Sequence, residues 1–290
     1  MQSNKLRYHT PSPESKKSPY SLTLNFVNTG RSSLQSIKLK TLCKDANYLI
    51  KEAEFNSNSE KSPLYWPESN NLFPLIKRDI FIKESPLALQ EQLRSIKHGI
   101  SASQSNYFRK MIEMPEKKKH EKTLILDLDE TLIYSSYTEI CDHHLQGTPN
   151  IDFSIRPYTK ELLEYASENF EVVIFTASQK FYADRILNYL DPNNEYISMR
   201  IYREHCIRTE KGFVKDLRVF SGRSLKDLIL VDNTLLCFAF QLDNAIPISS
   251  WYGEKNDKEL LKLIQFLKVL KEVPDVRELL RLTFTLSCRL

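Results

Sequence analysis

No base-stacking motif and no regular alternation of basic and aromatic residues runs through this chain, so nucleic-acid binding is not expected. No apolar stretch reaches the roughly 20 residues that a membrane helix needs, and no secretory signal is legible. The five cysteines (Cys43, Cys141, Cys206, Cys237 and Cys288) are odd in number and lack the spacing of a metal site. A reduced intracellular compartment is therefore expected, nucleus or cytoplasm rather than mitochondrion. The Ser/Lys-rich, acid-poor start has some transit-peptide character. Its first forty residues hold only two arginines, Arg7 and Arg31, and Pro11, Pro13 and Pro19 would break an amphipathic helix. No internal repeat is visible.

What is present is unevenly charged. Residues 1–120 hold 20 Lys plus Arg against 11 Asp plus Glu, a net of +9, and residues 121–290 hold 21 against 26, a net of −5. Residues 1 to about 72 are rich in Ser, Asn, Lys and Pro without a sustained period, which predicts disorder. Thr10, Ser12, Ser18, Ser62 and Ser85 each precede a proline, as proline-directed phosphorylation requires. Pro86 followed by Leu87-Ala88-Leu89 opens a short helix near 86–98 that could dock on the globular part. The expected division is a basic, low-complexity arm over 1–118 and a folded, monomeric domain over 119–290.

From Lys122 onward, strand and helix signals alternate, which predicts an α/β domain with a doubly wound parallel sheet and no large cap. The strands are Thr123–Leu128, Glu171–Thr176, a short one within Ile197–Tyr202, and Leu228–Val231. A polar loop separates the first strand from a helix that Pro157 opens and that runs to Asn169. Ser178 caps a second helix, which Asp191-Pro192 ends, and Asp257–Lys271 is strongly amphipathic.

Open α/β sheets bind ligands beyond the carboxyl ends of their strands. Asp127 and Asp129 stand there after the first strand, Thr176 after the next core strand, and Asp232-Asn233 after a later one, while Lys215 sits in Gly212-Phe213-Val214-Lys215-Asp216-Leu217. A carboxylate that can attack, a second that can move protons, a hydroxyl, an ammonium and an acid-amide pair suit phosphoryl transfer through a phosphoaspartate. Uncatalysed phosphate-monoester hydrolysis demands accelerations up to ~10²¹, whereas general acid–base help supplies only ~10²–10⁴. In-line positioning and charge neutralisation must provide the rest. Mg²⁺ prefers oxygen ligands and uses few protein groups, so Asp127, Asn233 and a backbone carbonyl would suffice.

Asp127 to Leu132, Phe175-Thr176-Ala177-Ser178, Val214-Lys215-Asp216-Leu217 and Asp232-Asn233-Thr234 resemble the four motifs of the haloacid dehalogenase superfamily. Arg156-Pro157, Tyr202 to Cys206, Asp243 to Ile248 and Ser250-Trp251 extend the resemblance to its branch of RNA polymerase II C-terminal-domain phosphatases, which includes the small C-terminal-domain phosphatases and Dullard. The likeness spans roughly residues 121–285. It implies a Mg²⁺-dependent phosphatase of phosphoserine or phosphothreonine proteins, with the polymerase tail as one substrate. By the same resemblance Asp127 is the nucleophile, and Asp129 is the general acid and base whose carbonyl also binds Mg²⁺. Thr131 and Thr176 position the phosphate and its loop, Lys215 offsets phosphoryl charge, Asn233 is a metal ligand, and Asp232 orients metal waters and holds the lysine. Tyr137 and Arg203 occupy positions like those of substrate-contacting residues.

Two departures stand out. Thr234 replaces the usual serine, which keeps the hydroxyl. Only nineteen residues, Tyr137 to Ile155, fill an insertion that is longer in the small phosphatases, where it forms a hairpin lining the substrate pocket. A non-catalytic binding module is the alternative, because a receptor subunit of the mitochondrial inner-membrane translocase resembles the same domain. Intact Asp127 and Asp129 speak for catalysis. Cys141, Asp142, His143 and His144 read as a solvent-exposed stretch rather than a metal site, Cys206 and Cys237 as core, and Lys117-Lys118-Lys119 as a charged linker.

Overall fold

Leu124, Ile125 and Leu126 have no solvent exposure. An uncharged run is buried so completely only when both faces of its sheet are covered. The computed structural model describes residues 111–114, 116, 120–284, 286 and 287, with Glu91 and Arg94. The strands in chain order are β1 (Ile112–Glu113), β2 (Thr123–Leu126), β3 (Ile133–Ser135), β4 (His143–Leu145), β5 (Ile151–Ile155), β6 (Glu171–Phe175), β7 (Met199–Ile201), β8 (Ile207–Thr209), β9 (Gly212–Val214), β10 (Phe220–Ser221), β11 (Leu228–Asp232) and β12 (Ala245–Pro247). The helices are α1 (Thr159–Asn169), α2 (Lys180–Leu190), α3 (Glu259–Leu270) and α4 (Val276–Phe284).

The core is a five-stranded sheet in the order β12-β11-β2-β6-β7, parallel throughout. The chain moves outward from β2 through β6 to β7, then crosses to the other side of β2 for β11 and β12. This reversal beside β2 opens the crevice at its carboxyl end, which is where the doubly wound reading places the site. The first strand stops two residues earlier than expected, because the Leu128 carbonyl accepts from the amides of Thr131, Leu132 and Ile133 and so turns the chain.

The helices follow from their apolar spacing. α1 buries Thr159, Leu162, Leu163 and Ala166, and α2 buries Ala183, Ile186 and Leu187, both one-sided stripes near the 3.6 period. α3 buries six residues from Leu260 to Leu270 and ends before Pro274. α4 was not anticipated, although Val276, Leu279, Leu280 and Thr283 are buried at helical spacing. Asp275 accepts from the Arg277 amide at 3.0 Å and so satisfies one of its N-terminal donors.

Two expectations need correction. The polar loop before Pro157 is a three-stranded antiparallel sheet in the order β3-β5-β4, a flap standing over the site. Its segments are too short and too polar for a clear period. Ser178 does not cap α2: Gln179 holds the cap position, and the Ser178 hydroxyl is used elsewhere.

β1 pairs in parallel with β10 and buries Ile112, so packed structure begins on the arm side of residue 118. Of the short helix expected near 86–98, only Glu91 and Arg94 are described, both helical and exposed. The serines and threonine that precede prolines, and Lys117-Lys118-Lys119, lie outside the described residues. Among the described residues no helix is long and apolar enough to cross a membrane.

Candidate active site

The turn after β2 is tight enough to put Glu130 at φ 59°. It aims Asp127 and Asp129 into the crevice. Asp127 is buried: Lys215 Nζ donates to Oδ1 at 2.6 Å and Thr131 Oγ1 to Oδ2 at 3.2 Å. Burial pushes its carboxyl up to about 7; Lys215 opposes the rise, and Asp232 and Asp129 add to it.

Lys215 is itself 1% exposed, and its ammonium also donates to Asp232 Oδ2 at 2.6 Å. Burial alone would lower it, but the Asp127 and Asp232 carboxylates outweigh that effect and hold it well above the ordinary lysine range. Asp232 Oδ1 accepts from the Thr234 amide at 2.8 Å, so both its oxygens are occupied. The lysine is thus a fixed charge between strand ends.

Asp129 is held differently. Ser178 Oγ at 2.6 Å and Thr176 Oγ1 at 3.3 Å donate to Oδ2, and the Tyr182 hydroxyl donates to Oδ1 at 2.7 Å. Burial and the neighbouring Asp129 push the Tyr182 phenol up, so it remains a donor. In the sequence Ser178 reads as a helix cap, and nothing singles out Tyr182. Tyr182 stands in the first turn of the helix that follows Thr176, and Ser178 two residues beyond Thr176 in the connecting turn, so both lie close to the crevice.

Asn233 Nδ2 donates to Glu130 Oε2 at 3.1 Å and lies 2.9 Å from Ser250 Oγ. A carboxylate only accepts, so the amide nitrogen must face Glu130, which leaves Oδ1 as the end offered to a ligand. Glu130 and Ser250 were not anticipated in this role. The donor set of Asp127, the Asp129 carbonyl and Asn233 Oδ1 is all oxygen. No group of three His, Cys, Asp or Glu capable of holding a metal occurs among the described residues. One carboxylate, a carbonyl and an amide fit Mg²⁺, which keeps several waters and adds substrate phosphate to few protein ligands.

The two rim residues are placed apart. Arg203 is exposed; its Nε donates to the Ala177 carbonyl at 2.5 Å and its guanidinium lies 5.2 Å from the centre of the Phe213 ring. Tyr137, 85% exposed, follows β3 at the edge of the flap. Cys237 is buried as the core reading implied, while Cys206 is half-buried and packs against the core, where desolvation pushes its thiol up to about 12.

A buried ion pair braces the turn from behind. Arg156 Nε and Nη2 donate to the two oxygens of Asp257 at 2.9 and 3.0 Å, and Nη1 to the Thr131 carbonyl at 3.2 Å. The arginine side chain is fully buried, so removing its partner strands a charge. Asp257→Ala is expected to destabilise the domain by about 3–5 kcal/mol in urea unfolding. A change under about 1 kcal/mol would mean that the pair is not a brace.

The parallel sheet with its flanking helices has the form of the haloacid dehalogenase superfamily. A family model described as NLI interacting factor-like phosphatase matches residues 122–277, and the chain belongs to that family. The CTD small phosphatase-like protein 2 of Dictyostelium discoideum is 44% identical over 171 residues, 57% of this chain and 30% of its own length. The CTD small phosphatase-like protein 3 of Caenorhabditis elegans is 35% identical over 229 residues, 75% of this chain and 78% of its own. A probable C-terminal domain small phosphatase of Dictyostelium discoideum is 39% identical over 184 residues, 61% of this chain and 60% of its own. The chain therefore spans less than two thirds of two of these relatives and more than three quarters of the third.

Proposed function

We propose that this chain is a Mg²⁺-dependent phosphatase that hydrolyses phosphoserine and phosphothreonine in proteins through an aspartyl-phosphate on Asp127. The carrying observation is that one buried ammonium, Lys215, joins Asp127 and Asp232 at 2.6 Å each, beside an Asp129 held by three hydroxyls. This complete cluster favours catalysis over a binding-only module.

In the first step an Asp127 oxygen bonds to phosphorus while the bond to the serine or threonine oxygen breaks. Asp129 gives that departing oxygen its proton. In the second step Asp129 takes a proton from water, the water oxygen bonds to phosphorus, and the Asp127–phosphorus bond breaks to release inorganic phosphate. Lys215 offsets charge on the phosphoryl oxygens, and Asp232 holds Lys215. Thr131 fixes the nucleophile, Thr176 fixes the acid, and Tyr137 and Arg203 meet the polypeptide at the rim. When bound, Mg²⁺ supplies further charge neutralisation at the phosphoryl oxygens, held by Asp127, the Asp129 carbonyl and Asn233.

The family's small C-terminal-domain phosphatases make a phosphorylated polymerase tail one substrate to test among phosphoserine segments. We assign catalysis to the domain over 119–290 and leave 1–118 as a basic arm. Phosphate release from a phosphoserine peptide with Mg²⁺, abolished by a chelator, is the expected result; no release from any phosphomonoester would sink the reading. Asp129→Asn is expected to slow turnover by roughly 10²–10⁴-fold while phosphoprotein stays bound, which makes it a trap for the natural substrate.

A further inference from the structure

One face of α2 touches the flap at three successive levels. Tyr182, Arg185 and Tyr189 stand at i, i+3 and i+7, in line along the helix. Tyr182, already a donor to Asp129, also lies 2.8 Å from Ser135 Oγ on β3. Tyr189 OH is 3.0 Å from His143 Nδ1 on β4, and its ring packs edge-on to Phe153 of β5 at 5.5 Å.

Arg185 between them has an unusual set of partners. Nη1 donates to the Pro149 carbonyl at 2.5 Å, and Nη2 to the carbonyls of Leu145 and Gln146 at 3.0 and 2.8 Å. No carboxylate pairs with it among the described residues. The β4–β5 turn is folded around the guanidinium closely enough that a Cβ on Gly147 would come within 2.6 Å of Nη2, and Gly147 has φ +156°. A planar fork of donors can serve three carbonyls at once, which a lysine ammonium on a flexible stem cannot do in the same geometry.

A three-stranded sheet this small needs a face to pack on. Here that face is the helix that also holds Asp129. We propose that Arg185 is a positioning residue: by gripping the β4–β5 turn it seats the flap on α2 beside the acid–base carboxylate, and so determines how well a phosphorylated polypeptide, as opposed to a small phosphate ester, is processed. The proposal rests on the phosphatase reading above. It extends it to a residue that touches neither substrate phosphate nor the reacting atoms.

The test compares a phosphoserine peptide with p-nitrophenyl phosphate on full-length protein. Arg185→Ala is expected to lower kcat/KM for the peptide roughly tenfold, mostly through KM, while p-nitrophenyl phosphate turnover stays within about twofold. Gly147→Ala, which pushes the guanidinium out from the other side, is expected to give the same loss, and the two changes together no more than either alone. Arg185→Lys is expected to recover part of the peptide activity. Equal losses on both substrates, or none on either, would overturn the proposal. If the parent protein hydrolyses neither compound, the phosphatase reading is what fails, and the clamp is judged by amide hydrogen exchange. Residues 143–155 should exchange about tenfold faster in Arg185→Ala, and unchanged exchange refutes the clamp.

Discussion

Asp127→Asn is expected to remove activity almost completely, by about 10⁴-fold or more in kcat, because a neutral amide does not attack phosphorus. The same variant should be at least as stable as its parent at neutral pH. The Asp127 carboxyl stands at about 7 in the folded domain against an ordinary 3.8, so folding favours its protonated form. Its contribution to stability is complete below pH 4 and lost as pH rises through about 7, because the desolvation of the buried carboxylate outweighs its pairing with Lys215. An amide escapes that cost. Thermal unfolding of parent and variant without added metal, followed from pH 4 to pH 7, should show the parent losing ground to the variant. A variant that is dead and also much less stable would mean that Asp127 supports the fold, and loss of activity would then say little about chemistry.

Lys215→Met should have the opposite stability signature. It leaves Asp127 and Asp232 buried and facing each other without the cation that each touches at 2.6 Å. Loss of one partner from a buried charge network costs about 3–5 kcal/mol, and in a domain of this size that is a fall in Tm of roughly 10 °C. Activity should fall with it, since in the proposed mechanism this ammonium offsets charge on the phosphoryl oxygens. Calorimetry at pH 7 separates the two variants by sign: the lysine change lowers Tm and the aspartate change does not.

The parts of this site that were legible in the sequence share a physical cause. Strands covered on both faces must be apolar runs, so Leu124-Ile125-Leu126 and Leu228-Ile229-Leu230-Val231 declared themselves, and polar residues placed directly after such runs had to lie at strand ends. Lys215 follows a short strand of a two-stranded pair, yet its motif put it in the same crevice, where the structure finds it fully buried.

The hidden parts were those whose meaning lies in a tertiary partner. Tyr182 fits an amphipathic helix whether its hydroxyl meets solvent or Asp129. Ser178 looks like a cap from its position alone. The insertion at Tyr137–Ile155 was singled out by resemblance, but its three strands were not, because segments of three to five residues, one of them His143–Leu145, show no useful period. Arg185 is an ordinary helix residue until the β4–β5 turn closes on it. Tyr137 and Arg203, assigned by resemblance, lie outside the buried cluster, Tyr137 exposed after β3 and Arg203 exposed but bonded to the Ala177 carbonyl.

The central claim, that phosphate passes through Asp127, is tested most directly by trapping the enzyme in turnover. Full-length protein with Asp129 intact, mixed with phosphopeptide and Mg²⁺, is quenched during turnover and reduced with borohydride, and its peptides are sequenced by mass spectrometry. An acyl phosphate at residue 127 should appear as homoserine at that position, dependent on substrate. Unmodified Asp127, with the reduced residue absent or at another position, would contradict it.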